Sequence, residues 1–142
     1  MKEPKTYVID NSVMLKPLLL EEGADKVKRI FTLKDNYRLA ILLPDLFRYE
    51  FFNKVMRTFN EELANKAWNE ITELQVSIIP LEADLIDVAS RLMAKYPRIS
   101  FYDAAYHALA KAYRVPLVTA DEKYYTMTRK EGDVKLLEKL KV

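Results

Sequence analysis

The sequence predicts an α/β domain in three layers, α/β/α, with a central parallel sheet of four to five strands and helices on both faces. Three observations carry this. Short apolar runs alternate along the chain with longer segments of helical periodicity. The apolar runs are continuous rather than alternating, as expected of strands buried on both faces of a parallel sheet. The 142 residues, 50% hydrophobic and 11% aromatic, suffice for one sizeable core over residues 1–142, and no Ser/Gly/Pro-rich linker, repeat or low-complexity tract divides them.

Taken in order, Thr6-Tyr7-Val8-Ile9 reads as the first strand and Leu39-Ala40-Ile41-Leu42-Leu43, stopped by Pro44, as the second. Val76-Ser77-Ile78-Ile79, stopped by Pro80, is the third, Pro116-Leu117-Val118-Thr119 the fourth, and a weaker Val134–Leu137 an edge strand. Helical patterns occupy 13–19, 24–35, 45–58, 60–74, 82–95, 101–114 and 122–130. Leu63, Ala67, Trp68, Ile71 and Leu74 recur at spacings of three and four in the fourth of these. Strands separated by helices imply right-handed crossovers. Sheets of that kind place ligand sites outside the carboxyl ends of their strands.

Composition removes much chemistry. There is no cysteine, hence no disulfide framework, zinc ribbon, iron–sulfur cluster or thiol nucleophile. His107 is the single histidine, and Gly23 and Gly132 stand too far apart to write a P-loop or a dinucleotide fingerprint. Lys plus Arg is 23 and Asp plus Glu 21, so a net charge of +2 gives no bulk electrostatic case for nucleic acid, though a local basic rim remains open. No apolar stretch approaches the ~18 residues of a membrane helix, and Met1-Lys2-Glu3-Pro4-Lys5 leads into the first strand without a signal-peptide core. The expectation is a cytoplasmic protein with no membrane partner.

Four acids fall where chemistry is expected. Asp10 follows Tyr7-Val8-Ile9 and Asp121 follows Leu117-Val118-Thr119-Ala120, both at carboxyl ends of strands. Asp103 lies in the first turn of a helix behind Ser100-Phe101-Tyr102, and Glu50 inside a helix among Phe47, Tyr49, Phe51 and Phe52. Each has a purely structural alternative. Asp10 or Ser12 caps a helix, Asp103 sits at N3 behind a Ser100 cap, Thr119-Ala120-Asp121-Glu122 fits a capping box, and Glu50 pairs with Lys54. Jointly they say more. Carboxylates within ~4 Å repel by ~1 kcal/mol per pair in water and ~4 at an effective dielectric of 20, so a convergent set needs a cation. An all-oxygen site selects Mg²⁺ or Mn²⁺, and such ions suit phosphodiester hydrolysis.

Here the residues carry a family likeness. Tyr7-Val8-Ile9-Asp10-Asn11-Ser12-Val13 resembles the opening motif of PIN-domain ribonucleases. Pro44-Asp45-Leu46-Phe47-Arg48-Tyr49-Glu50-Phe51-Phe52-Asn53 is similar to their helix with a Glu and a following Asn. Ser100-Phe101-Tyr102-Asp103-Ala104-Ala105-Tyr106 with Ala108-Leu109-Ala110 resembles the third motif, and Leu117-Val118-Thr119-Ala120-Asp121 the fourth. Order, size and coverage resemble the VapC type, the toxins of VapBC toxin–antitoxin systems.

The resemblance implies Asp10, Glu50, Asp103 and Asp121 as catalytic residues and ligands of a Mg²⁺ or Mn²⁺ site, with Asn11, Ser12 and Thr119 holding acids and water. It implies endonucleolytic RNA cleavage to a 5′-phosphate and a 3′-hydroxyl, inhibition by a VapB-like antitoxin, and a homodimer. Lys123 stands where some relatives carry a further acid, which bears on whether a second ion binds; a lysine there suits contact with phosphate. Competing readings are a PIN-like module that binds RNA or protein without catalysis, and an RNA-processing PIN nuclease. A haloacid-dehalogenase phosphatase needs a second aspartate where Ser12 stands, and a receiver domain needs an acceptor aspartate after Ile78-Ile79, where Pro80 stands.

Further residues are weaker signals. His107, four residues after Asp103, reads chiefly as packed, with a role beside the acids as the lesser alternative. Asn53 shares a helix face with Glu50 and either orients it or is simply solvated. Lys54, Arg57, Arg98, Lys111, Arg114, Lys123 and Arg129 form a candidate RNA rim, though charges on helices are usually solvated faces. The aromatic run around Phe47–Phe52 and Phe59, with Trp68, reads mostly as core, but Tyr49, Phe51 and Phe52 are nearly successive and exceed one buried stripe, so an exposed remainder, tested at Phe51, is expected to suit a partner helix or a dimer contact.

Overall fold

The computed structural model describes residues 5–142. The leader reading of Met1–Pro4 lies outside the described residues. Five parallel strands, β1 (Lys5–Ile9), β2 (Leu39–Pro44), β3 (Ser77–Ile79), β4 (Leu117–Thr119) and β5 (Val134–Leu136), form one sheet in the order β3-β2-β1-β4-β5. Central β1 pairs with β2 through Val8↔Leu42 and with β4 through Val8↔Leu117. Successive strand residues point to opposite faces, and Val8 and Ile9 are both wholly buried. Both faces of the sheet are therefore covered, and the domain has three layers, α/β/α.

The helices are α1 (Asn11–Met14), α2 (Lys16–Leu19), α3 (Ala24–Asp35), α4 (Leu46–Thr58), α5 (Glu61–Glu73), α6 (Ala83–Lys95), α7 (Phe101–Tyr113) and α8 (Glu122–Thr128). The expected helix at 13–19 is two short ones. Asp10 caps the chain two residues earlier than its apolar pattern begins, and α2 restarts at Lys16-Pro17, because proline is tolerated in a first turn but not inside a helix. The expected helix at 122–130 ends at Thr128 and tightens into a 3₁₀ turn over Arg129–Glu131. Asn60 and Ser100 cap α5 and α7 through their side chains.

Helix α7 is buried along Ala104–Ala110 and packs on β1, β2, β4 and α6. Its alanines let it approach the sheet closely, and Tyr106 and His107 are its large inward residues. Phe47, Phe51 and Trp68 stack α4 on α5 with ring centroids 5.4–6.2 Å apart. Phe51 is 0% exposed, so the exposed aromatic remainder of α4 is Tyr49, at 70%, and not Phe51. The i and i+4 placement of Phe47 and Phe51 puts both on the stripe facing the core, whereas Tyr49 falls between them on the outer face.

Candidate metal and nuclease site

The sheet order reverses at β1, which has β2 on one side and β4 on the other. Ligand crevices open at such a switch point, outside the strand carboxyl ends. Asp10 directly follows β1 there. Its Oδ1 accepts from Ser12 Oγ at 2.8 Å and from the Val13 amide at 3.0 Å, capping α1. Its Oδ2 accepts from Thr119 Oγ1 at 2.6 Å, across 109 residues of sequence. Thr119 is buried as the last residue of β4, and its Oγ1 also accepts from the Asp121 amide at 3.1 Å. Asp121 in turn is the cap of α8, accepting from the Tyr124 amide at 3.0 Å. The capping-box expectation is thus altered: Asp121, not Thr119, caps the helix.

Asp103 stands in the first turn of α7, its amide donating to Ser100 Oγ at 3.1 Å. Glu50 comes from the middle of α4 and accepts at Oε1 from the Tyr106 hydroxyl at 2.9 Å. Tyr106 lies three residues after Asp103 and shares its helix face. No ion pair joins Glu50 to Lys54 among the described residues.

The electrostatics tie these acids together. Burial raises the Asp10 carboxyl above its ordinary range and the Asp121 charge adds to that, while bonds from Thr119, Val13 and Ser12 pull the other way. Burial raises Glu50, and the charges of Asp103 and Asp10 reinforce it against the bond from Tyr106. Asp103 is raised by burial, then by the charges of Asp10 and Asp121. Burial, followed by the charge of Glu50, holds the Tyr106 phenol far above its usual range, so it stays protonated and donates to Glu50. Carboxylates scattered round a surface would not act on one another in this way.

Asp10 and Asp103 line a slot of about 10 Å³ with Tyr106, Leu117, Thr119 and Tyr124, the scale of one water-sized sphere. Among the described residues no three His, Cys, Asp or Glu side chains converge closely enough to hold a metal ion as they stand. Glu50 and Asp121 act on the slot through their charge and lie outside its lining. The donor set nevertheless fits a hard cation. It is all oxygen, its members Asp10, Glu50 and Asp103 are desolvated while Asp121 is exposed, and Mg²⁺ commonly takes only one or two carboxylates with the rest of its shell from water and substrate phosphate.

A family model described as PIN domain matches residues 7–130. The chain belongs to the PIN domain family. Its fold is shared with VapBC2 from Rickettsia felis bound to a DNA fragment from its promoter (TM-score 0.70, 15% identity, covering 92% of this chain and 96% of that one). It is also shared with VapC20 of Mycobacterium tuberculosis, a toxin that cleaves the sarcin–ricin loop (TM-score 0.69, 16% identity, 84% and 93% covered). A third is FitAcB from Neisseria gonorrhoeae (TM-score 0.66, 20% identity, 94% and 99% covered). No curated protein matches the sequence.

Within this PIN domain two tyrosines were not legible as site residues. Tyr106 falls within the third motif and Tyr124 within a helical pattern, neither marked by the sequence as a site residue, and only their hydroxyl partners reveal them. The one signal for Tyr106 was its three-residue spacing from Asp103. Tyr124 bonds His107 Nδ1 at 2.7 Å, and His107 Nε2 meets the Gly132 carbonyl at 2.8 Å. A carbonyl only accepts, so Nε2 carries the hydrogen and Nδ1 accepts from Tyr124. Both ring nitrogens are engaged, His107 is 0% exposed, and burial lowers its pKa. His107 is a packed histidine that buttresses a tyrosine of the slot.

Asn53 is exposed and accepts from Arg57 Nε at 3.0 Å. Of the candidate rim, Lys111 is drawn to Glu131 at 3.2 Å, beside Lys95 at 2.7 Å and the Tyr96 hydroxyl at 2.7 Å. These three donors pull the Glu131 carboxyl down to about 2, Lys95 first. Lys123 is exposed.

Proposed function

We propose that this PIN domain is a metal-dependent endoribonuclease, the toxin of a toxin–antitoxin pair, held inactive by a VapB-like antitoxin and acting as a homodimer in the cytoplasm. The observation that carries the reading is the slot at the switch point of the sheet that Asp10 and Asp103 line together, with Glu50 and Asp121 near enough for their charges to act on it, in a chain of this family. The antitoxin partner is supported by solved neighbours that are themselves toxin–antitoxin complexes. Among the described residues no helix is long and apolar enough to cross a membrane.

In this reading Asp10 and Asp103 hold the ion directly, with Glu50 and Asp121 completing its surroundings. Bound Mg²⁺ or Mn²⁺ supplies Lewis-acid stabilisation for hydrolysis of a phosphodiester. The chain does the rest. Thr119, Ser12 and the Val13 amide fix the orientation of Asp10, leaving a lone pair of its carboxylate to face the slot. Tyr106 fixes Glu50, and Asn11 and Asn53 flank it. Glu50, raised by burial and by the charges of Asp103 and Asp10, is the carboxylate suited to take a proton from the attacking water.

The test is cleavage of a single-stranded oligoribonucleotide with Mn²⁺ and with EDTA, beside Asp10→Asn. Ion-dependent internal cleavage leaving 5′-phosphate ends, lost in the variant, is expected. Equal cleavage by wild type and variant removes the site assignment. Tight RNA binding with no cleavage under any divalent ion favours a non-catalytic module.

A further inference from the structure

We propose that the groove beside Glu50 is a nucleobase subsite, which takes one unpaired base of single-stranded RNA next to the scissile phosphate. The proposal rests on the nuclease reading above and adds the residues of this chain that seat a base beside the acids. The groove measures about 440 Å³ and is lined by Asn11, Tyr49, Glu50, Asn53, Lys54 and Tyr102, a volume within the ~300–1,000 Å³ of small-ligand clefts. Its walls are the immediate chain neighbours of the acids. Asn11 follows Asp10, Tyr49 precedes Glu50, and Tyr102 precedes Asp103. Whatever fills it lies alongside the acidic slot.

Three features of the lining suit a base. Tyr49 and Tyr102 are 70% and 57% exposed, although large aromatic residues in a stable domain are normally covered. Every base has a π-face, and stacking on exposed aromatic rings is how single strands are held without reading their sequence. The Arg48 guanidinium carbon lies 5.8 Å from the centroid of the Tyr49 ring, placing a cation beside this platform. Asn11 also stands at this wall, and a side-chain amide both donates to and accepts from the edge of a base. Lys54 adds a positive charge at the same wall, where a flanking phosphate would run.

A protein partner on this face is the competing occupant. The base is favoured because the lining is amide, cation and tyrosine rather than aliphatic, and because Glu50 of the acidic site forms part of it. A base stacked here cannot remain paired, so single strands and loops are substrates and continuous duplex is not.

The experiment is steady-state cleavage with Mn²⁺ of a single-stranded oligoribonucleotide and of the same sequence in duplex. The enzymes are wild type, Tyr49→Ala, Tyr102→Ala and the stacking-competent Tyr49→Trp, with the oligomeric state of each measured by light scattering. Both tyrosines are exposed, so thermal stability should be unchanged. We expect each alanine variant to raise KM about 5- to 150-fold, the range spanned by stacking one base on an aromatic ring. Tyr49→Trp should restore wild-type KM, and duplex should be cleaved far more slowly. Unchanged KM in both alanine variants overturns the subsite while leaving the nuclease reading intact, as does equal cleavage of duplex. An altered oligomeric state with unchanged KM makes the face a protein interface and also overturns it. Absence of any cleavage by wild type removes the nuclease reading and the subsite with it.

Discussion

Thr119 donates its hydroxyl hydrogen to Asp10 Oδ2 at 2.6 Å while its own oxygen accepts from the Asp121 amide at 3.1 Å. One buried threonine thus links the acid after β1 to the acid after β4. Thr119→Val keeps the shape and removes both bonds. A hydrogen bond to a charged group contributes ~1.5–3 kcal/mol, so a fall in melting temperature of roughly 5–10 °C is expected at this chain length. Thr119→Ser should retain most of the stability, and differential scanning calorimetry of the pair checks this.

Tyr106→Phe removes the only hydrogen-bond donor to the Glu50 side chain among the described residues. That bond pulls the Glu50 carboxyl down, so its loss should move Glu50 further up. If Glu50 acts in its ionised form, the acid limb of the cleavage-rate profile shifts to higher pH, with little change above it. A pH–rate profile that overlays the wild type would show that the hydroxyl serves packing alone.

Asp103→Asn removes one of the repelling charges. Asp103 is raised above its ordinary 3.8 in the folded protein, so its ionisation destabilises the fold at neutral pH, and the effect vanishes below about pH 3.8, where it is protonated in both states. In EDTA at pH 7 the variant should therefore be more stable than wild type by roughly 1 kcal/mol, the scale of one like-charge repulsion. With Mn²⁺ the order should reverse, because the wild type gains ligand-linked stability that the variant loses. Melting curves in the two buffers decide it, and an equal Mn²⁺ shift in both proteins would remove Asp103 from the metal site.

Glu131 ties α6 and α7 to the 3₁₀ turn after α8 through Lys95, Tyr96 and Lys111. Its carboxyl falls from an ordinary 4.5 to about 2 on folding. A depressed acid stabilises the fold fully above its unfolded value, and that stabilisation is lost as pH falls from about 4.5 toward 2. Glu131→Gln should lower stability at pH 7 and flatten the acid limb of the stability curve across that window, measured by urea titration at a series of pH values.

Phe51→Ala and Tyr49→Ala should differ sharply. Phe51 is wholly buried against Phe47 and Trp68, so its truncation is expected to cost ~3–5 kcal/mol. Tyr49, on the outer face, should stay within about 0.5 kcal/mol of wild type. Urea unfolding midpoints of the two variants make the comparison.

The sequence alone determined the layered α/β plan, the five strands and the positions of the acids along the chain, because strand burial on both faces and helical periodicity are local patterns. Asp10 and Asp121 were visible as strand-end acids because the apolar runs before them are unambiguous. It did not determine where helices begin around Asp10 and Pro17, since a capping hydrogen bond and a proline restart outweigh the apolar pattern there. Nor did it show that Tyr106 holds Glu50, that His107 is occupied by Tyr124 and Gly132, that Phe51 faces inward while Tyr49 faces out, or that Glu50 and Asp121 stand outside the slot lined by Asp10 and Asp103. Those relationships join segments tens of residues apart, and their geometry depends on how α4 and α7 pack over the end of the sheet. Only the folded chain brings such segments together, because packing against neighbours sets side-chain direction and desolvation, which no local pattern encodes.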